Sequence, residues 1–189
     1  MRRVGPLAGA AAALLLAGCA EPALPPPQAS LDNIQALRAG DIAPIKVGPF
    51  RPAPGPPTEM DKSIIVRAGT QAAPEGSFAA YLADTLAAEL KGAGRLDPNA
   101  HLVIAGVITD THVDSAMPTA TARLAAQFTL TRSGQTLFEK TLSVESDWNS
   151  DFAGAVAIPD AFNHYSGLFA QLAAKLFADP EFKAAAKPS

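Results

Sequence analysis

The sequence predicts an α+β fold, a two-layer sandwich in which a largely antiparallel sheet carries two main helices on one face. Residues 121–148 alternate apolar and polar side chains on both sides of a Ser-Gly turn. This pattern predicts a long hairpin with one buried and one solvated face. Residues 78–91 and 160–177 repeat apolar residues at steps of three and four, as amphipathic helices do. Because the solvated face of the hairpin needs no cover, both helices should pack against its other face.

Residues 1–18 have the layout of a lipoprotein signal peptide. Arg2 and Arg3 precede an uncharged run, mostly of Ala, Leu and Gly, that extends to Gly18. This run is too short to span a bilayer as a helix, which needs roughly 20 residues. It ends in Leu16-Ala17-Gly18-Cys19, which resembles the lipobox of bacterial lipoproteins.

Cys19 is the expected lipidation site. The resemblance implies that it becomes the first mature residue, with a diacylglycerol on its sulfur and a further acyl chain, such as palmitate, on its amine. Several chains anchor stably because each buried CH₂ contributes about 0.8 kcal/mol. An ordinary signal peptide is the alternative, but Cys19 is the only cysteine and the residues before it fit a lipobox. Ala20, in place of Asp, resembles the sorting signal for the Gram-negative outer membrane, with the domain facing the periplasm.

The charge of the mature chain excludes two classes of partner. Cleavage before Cys19 removes two arginines and no acidic residue, so 13 basic and 18 acidic residues remain, for a formal charge of −5. Neither nucleic-acid binding nor electrostatic docking on anionic lipid is expected, because both require a basic surface. With Cys19 lipidated, no thiol remains for a disulfide, a nucleophile or a zinc site.

After the signal, the chain is expected to divide into three parts. Residues 19–30 form a tether that holds the domain off the membrane, because the prolines at 25–27 favour extended polyproline II. Residues 31–182 form a single periplasmic domain, whose length suits an ordinary core. Residues 183–189 form a C-terminal tail.

Short elements come first in the predicted domain. Ser30 and Ser77 are placed to cap the helices that follow them. Four prolines between positions 52 and 57 exclude a helix or a central strand there. The expected elements, in chain order, are a helix at 31–39, a strand at 45–50, a loop at 51–61, a strand at 62–68 and a loop at 69–77.

The first main helix and the strand after it have clear patterns. The stripe of the helix leaves Asp84, Glu89 and Lys91 on its other side. Residues 102–109 are apolar on both faces, which predicts a central strand whose second face is partly covered by the 31–50 segment. The stripe consists of Phe78, Tyr81, Leu82, Thr85, Leu86 and Leu90.

The remaining elements are the hairpin, a connection and the second main helix. Trp148 falls on the buried face of the hairpin by parity, so a core position is favoured over a binding role. Residues 149–159 are expected to be a connection, with the helix beginning at Asp160. A short turn should follow at 180–182.

One cluster could hold a divalent cation. Asp110, His112 and Asp114 alternate, so in an extended chain they project from the same side and could ligate a metal. A solvated strand end is the favoured alternative, because the strand here runs into a loop. His101 and His164 have no partner in the sequence and are expected to be exposed or capping.

The sequence contains no motif that assigns a catalytic residue. It has no Gly-x-Ser-x-Gly elbow, no phosphate-binding loop, no dinucleotide fingerprint and no metalloprotease His pair. We therefore predict that the protein is not an enzyme and has no cofactor.

The order of elements after the lipobox and tether resembles the auxiliary lipoproteins of ABC-type intermembrane transport systems, and also other small periplasm-facing lipoproteins. The resemblance covers roughly residues 60–177, in "YLADTLAAEL", "LVIAGVIT", "ARLAAQFTLTRSGQTLFEKTLSVES" and "YSGLFAQLAAKL". It implies an accessory, non-enzymatic envelope subunit and transfers no site residue.

Three functions remain open at this point. The first is an accessory lipoprotein that is anchored by its N-terminal lipid and binds an envelope protein in transport or envelope assembly. The second is a lipoprotein that holds a small molecule or a lipid between sheet and helices. The third, least favoured, is a hydrolase that depends on His112 or Asp114. The sequence does not identify the partner-binding residues or the oligomeric state.

Overall fold

The computed structural model describes residues 24–54 and 61–188. The signal, Cys19 and part of the Pro-rich loop therefore lie outside the described residues. Four helices and six strands occur in the described part. The helices are α1 (Leu31–Ala39), α2 (Phe78–Ala93), α3 (Gly154–Ala178) and α4 (Pro180–Ala185); the strands are β1 (Ile45–Pro52), β2 (Ser63–Val66), β3 (Gly69–Ala72), β4 (Leu102–Asp114), β5 (Thr119–Arg132) and β6 (Gln135–Asn149).

The main sheet has the strand order β1-β4-β5-β6. Strands β4, β5 and β6 pair antiparallel, and β1 pairs parallel to β4 at one edge. The predicted hairpin is β5–β6, joined at Ser133 and Gly134, whose φ values of 49° and 86° suit a tight hairpin turn. The α+β class and the largely antiparallel sheet are confirmed.

The helices pack on one face of this sheet and enclose an aromatic core. Phe169 on α3 contacts the rings of Phe78, Tyr81 and Tyr165. The Tyr165 hydroxyl lies 2.7 Å from Oγ1 of Thr111 on β4, which joins the two layers. The burial of Tyr165 raises its pKa, so the phenol stays neutral. All six residues of the predicted α2 stripe are buried, as expected.

Both predicted serine caps are present. Oγ of Ser30 accepts from the Asn33 amide, and Oγ of Ser77 accepts from the Ala80 amide, each at 3.1 Å. Such caps satisfy amide groups that the first helical turn leaves unpaired. Helix α2 ends at Gly94, whose positive φ of 73° a glycine adopts without strain.

Part of one predicted loop is a strand, and one predicted strand is longer than its apolar run of 102–109. Residues 69–72 form β3, which pairs antiparallel with β2 in a separate two-stranded sheet. Strand β4 continues past 109 to Asp114, because β5 is long enough to pair with it up to Thr121. In both cases hydrogen bonds to the partner strand stabilise a strand that the local sequence pattern does not predict.

Helix α3 begins six residues earlier than predicted. We expected Pro159 to precede the helix, but it lies inside α3, near the N-terminal end. Pro159 is the sixth residue of α3, beyond the first turn, so the helix lacks the hydrogen bond that an amide there would donate to the Ala155 carbonyl. Ala157 is buried and Ile158 packs against the core, which favours continuing the helix toward Gly154.

The predicted cover on the second face of β4 is absent from the described residues. Helix α1 packs against α2 and α3, on the helical face, and β1 extends the sheet at its edge. Val103, Ala105 and Val107 consequently keep intermediate exposure. The expectation that residues 31–50 cover this face is wrong for the part that the structure describes.

Asp179 connects the last helix to the hairpin. Its Oδ1 accepts from the amides of Glu181 and Phe182, and its Oδ2 lies 3.0 Å from Nζ of Lys140 on β6. Burial alone would raise the pKa of this carboxyl. The hydrogen bonds from Lys140 and the two amides outweigh it, and the pKa is lowered from its usual 3.8.

We expect Asp179→Ala to destabilise the protein by about 1 kcal/mol at pH 7, through loss of the cap. A lowered pKa means that the carboxylate stabilises the fold above pH 3.8 and that this contribution is lost as the pH falls through the lowered value. Urea unfolding at pH 7 and pH 3 should therefore show a smaller difference between variant and wild type at pH 3. An equal difference at both pH values would contradict the assignment.

Candidate functional site

The expected lipidation site, Cys19, lies just before the described chain. Leu24 is the first described residue and is only 5% exposed. The Tyr81 hydroxyl on α2 donates to the carbonyl of Pro25 at 3.0 Å. The chain is therefore fixed to the domain from the fifth residue after Cys19. Among the residues that the structure describes, no helix combines the length and the apolar character needed to cross a bilayer.

A buried carboxylate holds the chain where the tether enters α1. Glu89 accepts from the Ser30 amide at 3.0 Å and from Nδ2 of Asn33 at 2.8 Å. Asn33 also donates to the Ala170 carbonyl on α3 at 3.3 Å. The prediction that Glu89 lies away from the buried stripe is wrong, since Glu89 is 0% exposed. We call this arrangement the tether dock; it consists of Pro25, Ser30, Asn33, Tyr81 and Glu89.

The tether dock has a structural rather than a catalytic character. Buried polar groups are costly unless they are hydrogen-bonded. Here the carboxylate of Glu89 has two donors on the entering chain, and Asn33 joins α2 to α3 through α1. The last part of the predicted tether therefore lies on the domain, and only the residues before Leu24 separate the domain from Cys19.

The candidate metal ligands lie on the solvent face of β4. Asp110, His112 and Asp114 share one side of the strand, as predicted. Asp110 pairs with Arg123 of β5 at 2.6 Å, and Asp114 accepts from the Ala116 amide at 2.9 Å. Within the described residues, no three His, Cys, Asp or Glu side chains are grouped closely enough to hold a metal ion. A guanidinium beside them also opposes a divalent cation.

Trp148 and His164 form a stacked pair between β6 and α3. Their ring centroids are 4.2 Å apart with an interplanar angle of 5°. His164 Nδ1 is 2.9 Å from Oγ of Ser146, and its Nε2 is 3.9 Å from the carboxylate of Asp160. His164 is thus half-buried with partners, contrary to the exposed or capping role expected for it, whereas His101 is exposed as predicted.

The stacked rings of this pair join the edge strand β6 to α3. Trp148 is 9% exposed, which confirms its predicted core position. Its indole Nε1 is buried and has no hydrogen-bond partner among the described residues. Ser146, His164 and Asp160 are residue types used in nucleophilic catalysis, but Asp160 and His164 lie one turn apart on the same helix. A 3.9 Å separation does not orient an imidazole as a hydrogen bond would.

Two open depressions lie at the surface of the part of the chain that the structure describes. One, of about 540 Å³, is lined by residues that include Ala43, His101 and Arg132. The other, of about 410 Å³, lies between β6 and α3, where Nζ of Lys175 donates to the Ser143 carbonyl at 2.6 Å. Both are open to solvent, whereas the ligand-binding alternative requires a cavity enclosed between the sheet and the helices.

Comparison with known proteins identifies the fold. No family model matches the sequence, and no curated protein matches it. A crystal structure of a Xanthomonas campestris protein, described by the DUF330 family model, superposes with a TM-score of 0.56 at 13% identity. The match covers 87% of this chain and 92% of that one.

Two further solved structures are more distant. A Caulobacter crescentus protein described as a lipoprotein candidate has a TM-score of 0.46 at 14% identity, covering 83% of this chain and 98% of that one. A minor lipoprotein from Acinetobacter baumannii has a TM-score of 0.39 at 14% identity, covering 74% and 90%. The chain thus has a fold similar to that of the Xanthomonas protein over nearly all of both chains.

Proposed function

We propose that the protein is a non-enzymatic lipoprotein of the bacterial cell envelope. In this proposal Cys19 carries the lipid, the outer membrane holds the anchor, and the domain faces the periplasm. The domain acts as an accessory subunit that binds an envelope protein in transport or envelope assembly.

The observation that carries the proposal is the position of Cys19 relative to the tether dock. The lipobox-like residues 16–19 end five residues before Leu24, which is already buried in the domain. A lipid on Cys19 would therefore hold a folded domain close to the membrane surface. The similarity of the fold to the DUF330 structure, and the lipoprotein descriptions of other neighbours, agree with this proposal.

The solvent face of the hairpin is the surface that we assign to the partner. Exposed residues alternate along β6 with the buried ones, and they include Glu139, Thr141 and Glu145. Arg123 and Asp110 add an ion pair on the neighbouring strands of the same face. A face of mixed charge on a rigid sheet suits a specific protein contact, because charge complementarity selects partners.

We expect Cys19→Ser to abolish anchoring. The serine hydroxyl cannot form the thioether that holds the diacylglycerol, so nearly all of the protein should leave the outer-membrane fraction. Fractionation of cells, with mass spectrometry of the purified protein, measures both effects. Ala20→Ser is the matched control and should remain lipidated. An intact wild-type chain without acyl groups would refute the anchor.

The partner is tested by crosslinking in intact cells. Tagged wild-type protein should capture an envelope protein that the Cys19→Ser form does not. Thr141→Arg, on the hairpin face, should reduce that capture, whereas Gln35→Arg, on the exposed side of α1, should not. If neither substitution affects a specific capture, the hairpin face is not the interface. If nothing specific is captured, the accessory role is contradicted.

The ligand-binding alternative lacks comparable support. Aromatic rings such as Phe78 and Tyr165, 5.2 Å apart, fill the space between the layers where a ligand would lie. For the hydrolase alternative, His112 is exposed on β4 opposite Arg123, and the carboxylate of Asp114 accepts from a backbone amide. We therefore propose neither of these functions.

A further inference from the structure

We propose that one end of the domain inserts into the surface of the bilayer that holds the anchor. This end carries Ile65, Met117, Phe152 and Val156, which we call the apolar rim. The proposal rests on the lipid anchor at Cys19 that we propose above, and it adds a second, direct contact between the folded domain and the membrane.

The rim concentrates exposed apolar side chains. Ile65 is 68% exposed, Met117 53%, Phe152 86% and Val156 54%. The described part of the chain has six exposed large apolar side chains, and the rim contains four of them. Exposed apolar residues that gather in one region commonly mark a contact with a membrane or another molecule.

Hydrogen bonds hold the segments of the rim together. Arg67, in the turn of the β2–β3 hairpin, donates to the carbonyls of Asp151 at 2.7 Å and Phe152 at 3.1 Å. The amide of Ser150 donates to the carbonyl of Pro118 at 2.9 Å, beside Met117. The rim is therefore a fixed surface built from three parts of the chain, which can insert without first becoming ordered.

The tether leaves the domain beside the first turns of α2, where Tyr81 contacts Phe169, about 20 Å along α3 from Val156. Tyr81 holds Pro25, and the carboxylate of Asp61 accepts from the Ala79 amide on the same turn of α2. From Asp61 the β2–β3 hairpin runs to the rim, and four residues of strand span about 13 Å. The five residues from Cys19 to Leu24 span at most about 18 Å. A lipid on Cys19 therefore confines the rim near the bilayer and raises its effective concentration there.

The side chains of the rim are suited to burial at the apolar boundary of the bilayer rather than to attraction by charged headgroups. The mature chain has a formal charge of −5, and Asp151 lies beside Phe152 on the exposed surface. Arg67 offsets Asp151 at the rim, so anionic headgroups find no net positive charge there, whereas burial of Phe, Ile, Val and Met side chains is favourable on any bilayer. We infer that the rim inserts into zwitterionic lipid at least as well as into anionic lipid.

The proposal can be tested by site-directed spin labelling, because the chain has only one native cysteine. Because lipidation occupies Cys19, a new cysteine provides the only free thiol for a spin label. Phe152→Cys and Ile65→Cys place the label on the rim, and Leu137→Cys is the matched control at the opposite end of β6. Each full-length lipidated variant is reconstituted into phosphatidylethanolamine and phosphatidylcholine vesicles. Collision rates of the label with oxygen and with a water-soluble nickel chelate then report its depth.

Insertion requires that labels at 65 and 152 collide mainly with oxygen and that the label at 137 collides mainly with the chelate. If all three labels collide equally with the chelate while mass spectrometry shows the acyl chains, the rim stays in water; the rim proposal is then overturned and the anchor stands. If the chain carries no acyl group, both proposals are overturned. If the rim labels insert only when phosphatidylglycerol is added, the chemistry that we assign to the rim is wrong.

Discussion

Phe169→Ala is expected to destabilise the protein by about 3–5 kcal/mol, the cost of truncating a wholly buried aromatic residue. Phe169 is 1% exposed, and its ring contacts Phe78, Tyr81 and Tyr165, with centroids 6.1, 4.9 and 5.5 Å away. These residues belong to α2 and α3, so the truncation opens a cavity where the two main helices meet. Close-packed interiors relax only partly around such a cavity, which is why the loss exceeds the transfer free energy of the ring.

Urea unfolding followed by circular dichroism measures this effect. Phe152→Ala is the matched control, because Phe152 is 86% exposed and its truncation should change stability by less than about 0.5 kcal/mol. If Phe169→Ala costs no more than Phe152→Ala, the helices do not pack around Phe169 as described. The same comparison shows whether rim residues can be changed without unfolding the domain.

The elements that the sequence predicted correctly are those whose burial follows a simple local period. In the hairpin, Phe138, Leu142 and Trp148 are all buried, because one face of a two-stranded unit packs on helices and the other faces water. In α2, the stripe that begins at Phe78 is buried for the analogous reason at the helical period. Such patterns need no information about distant partners.

The elements that the sequence did not predict depend on distant partners. Strand β3, with the sequence Gly-Thr-Gln-Ala, has little strand character, and it is a strand because β2 pairs with it. Pro159 would end a helix judged on local grounds, but Ala157 and Ile158 pack against the core and retain it in α3. Tertiary packing outweighs local propensity at both places.

The tether dock was missed for the same physical reason. The predicted stripe leaves Glu89 on the solvent side, and a carboxylate is costly to bury alone. Its partner Asn33 lies 56 residues earlier in the chain, and the pair becomes evident only when α1 packs on α2. The spacing is an available signal, since Glu89 follows Leu82 by seven residues and Leu86 by three, the steps of the buried stripe.

Glu89→Ala should therefore lower the free energy of unfolding by about 2–4 kcal/mol, because it removes the carboxylate that accepts from one partly buried amide and one buried side-chain donor. Those donors are the Ser30 amide and Nδ2 of Asn33. We also expect the chain before α1 to detach locally from α2 more often, since it is held there by this carboxylate and by the Tyr81 hydroxyl. Glu89→Gln keeps the shape and one acceptor oxygen, so an intermediate loss is expected.

Hydrogen exchange of the Ser30 amide distinguishes a local effect of Glu89 on the tether dock from an effect on global stability. In Glu89→Ala, exchange at Ser30 should accelerate by more than the fall in global stability accounts for, because the tether dock opens before the core does. Glu139→Ala removes a carboxylate from the exposed face of β6 and should alter neither stability nor exchange appreciably. If Ser30 exchange in Glu89→Ala follows global unfolding alone, Tyr81 and the burial of Leu24 suffice to hold the tether. If it accelerates as expected, the buried carboxylate determines how closely the domain is held to an anchor on Cys19.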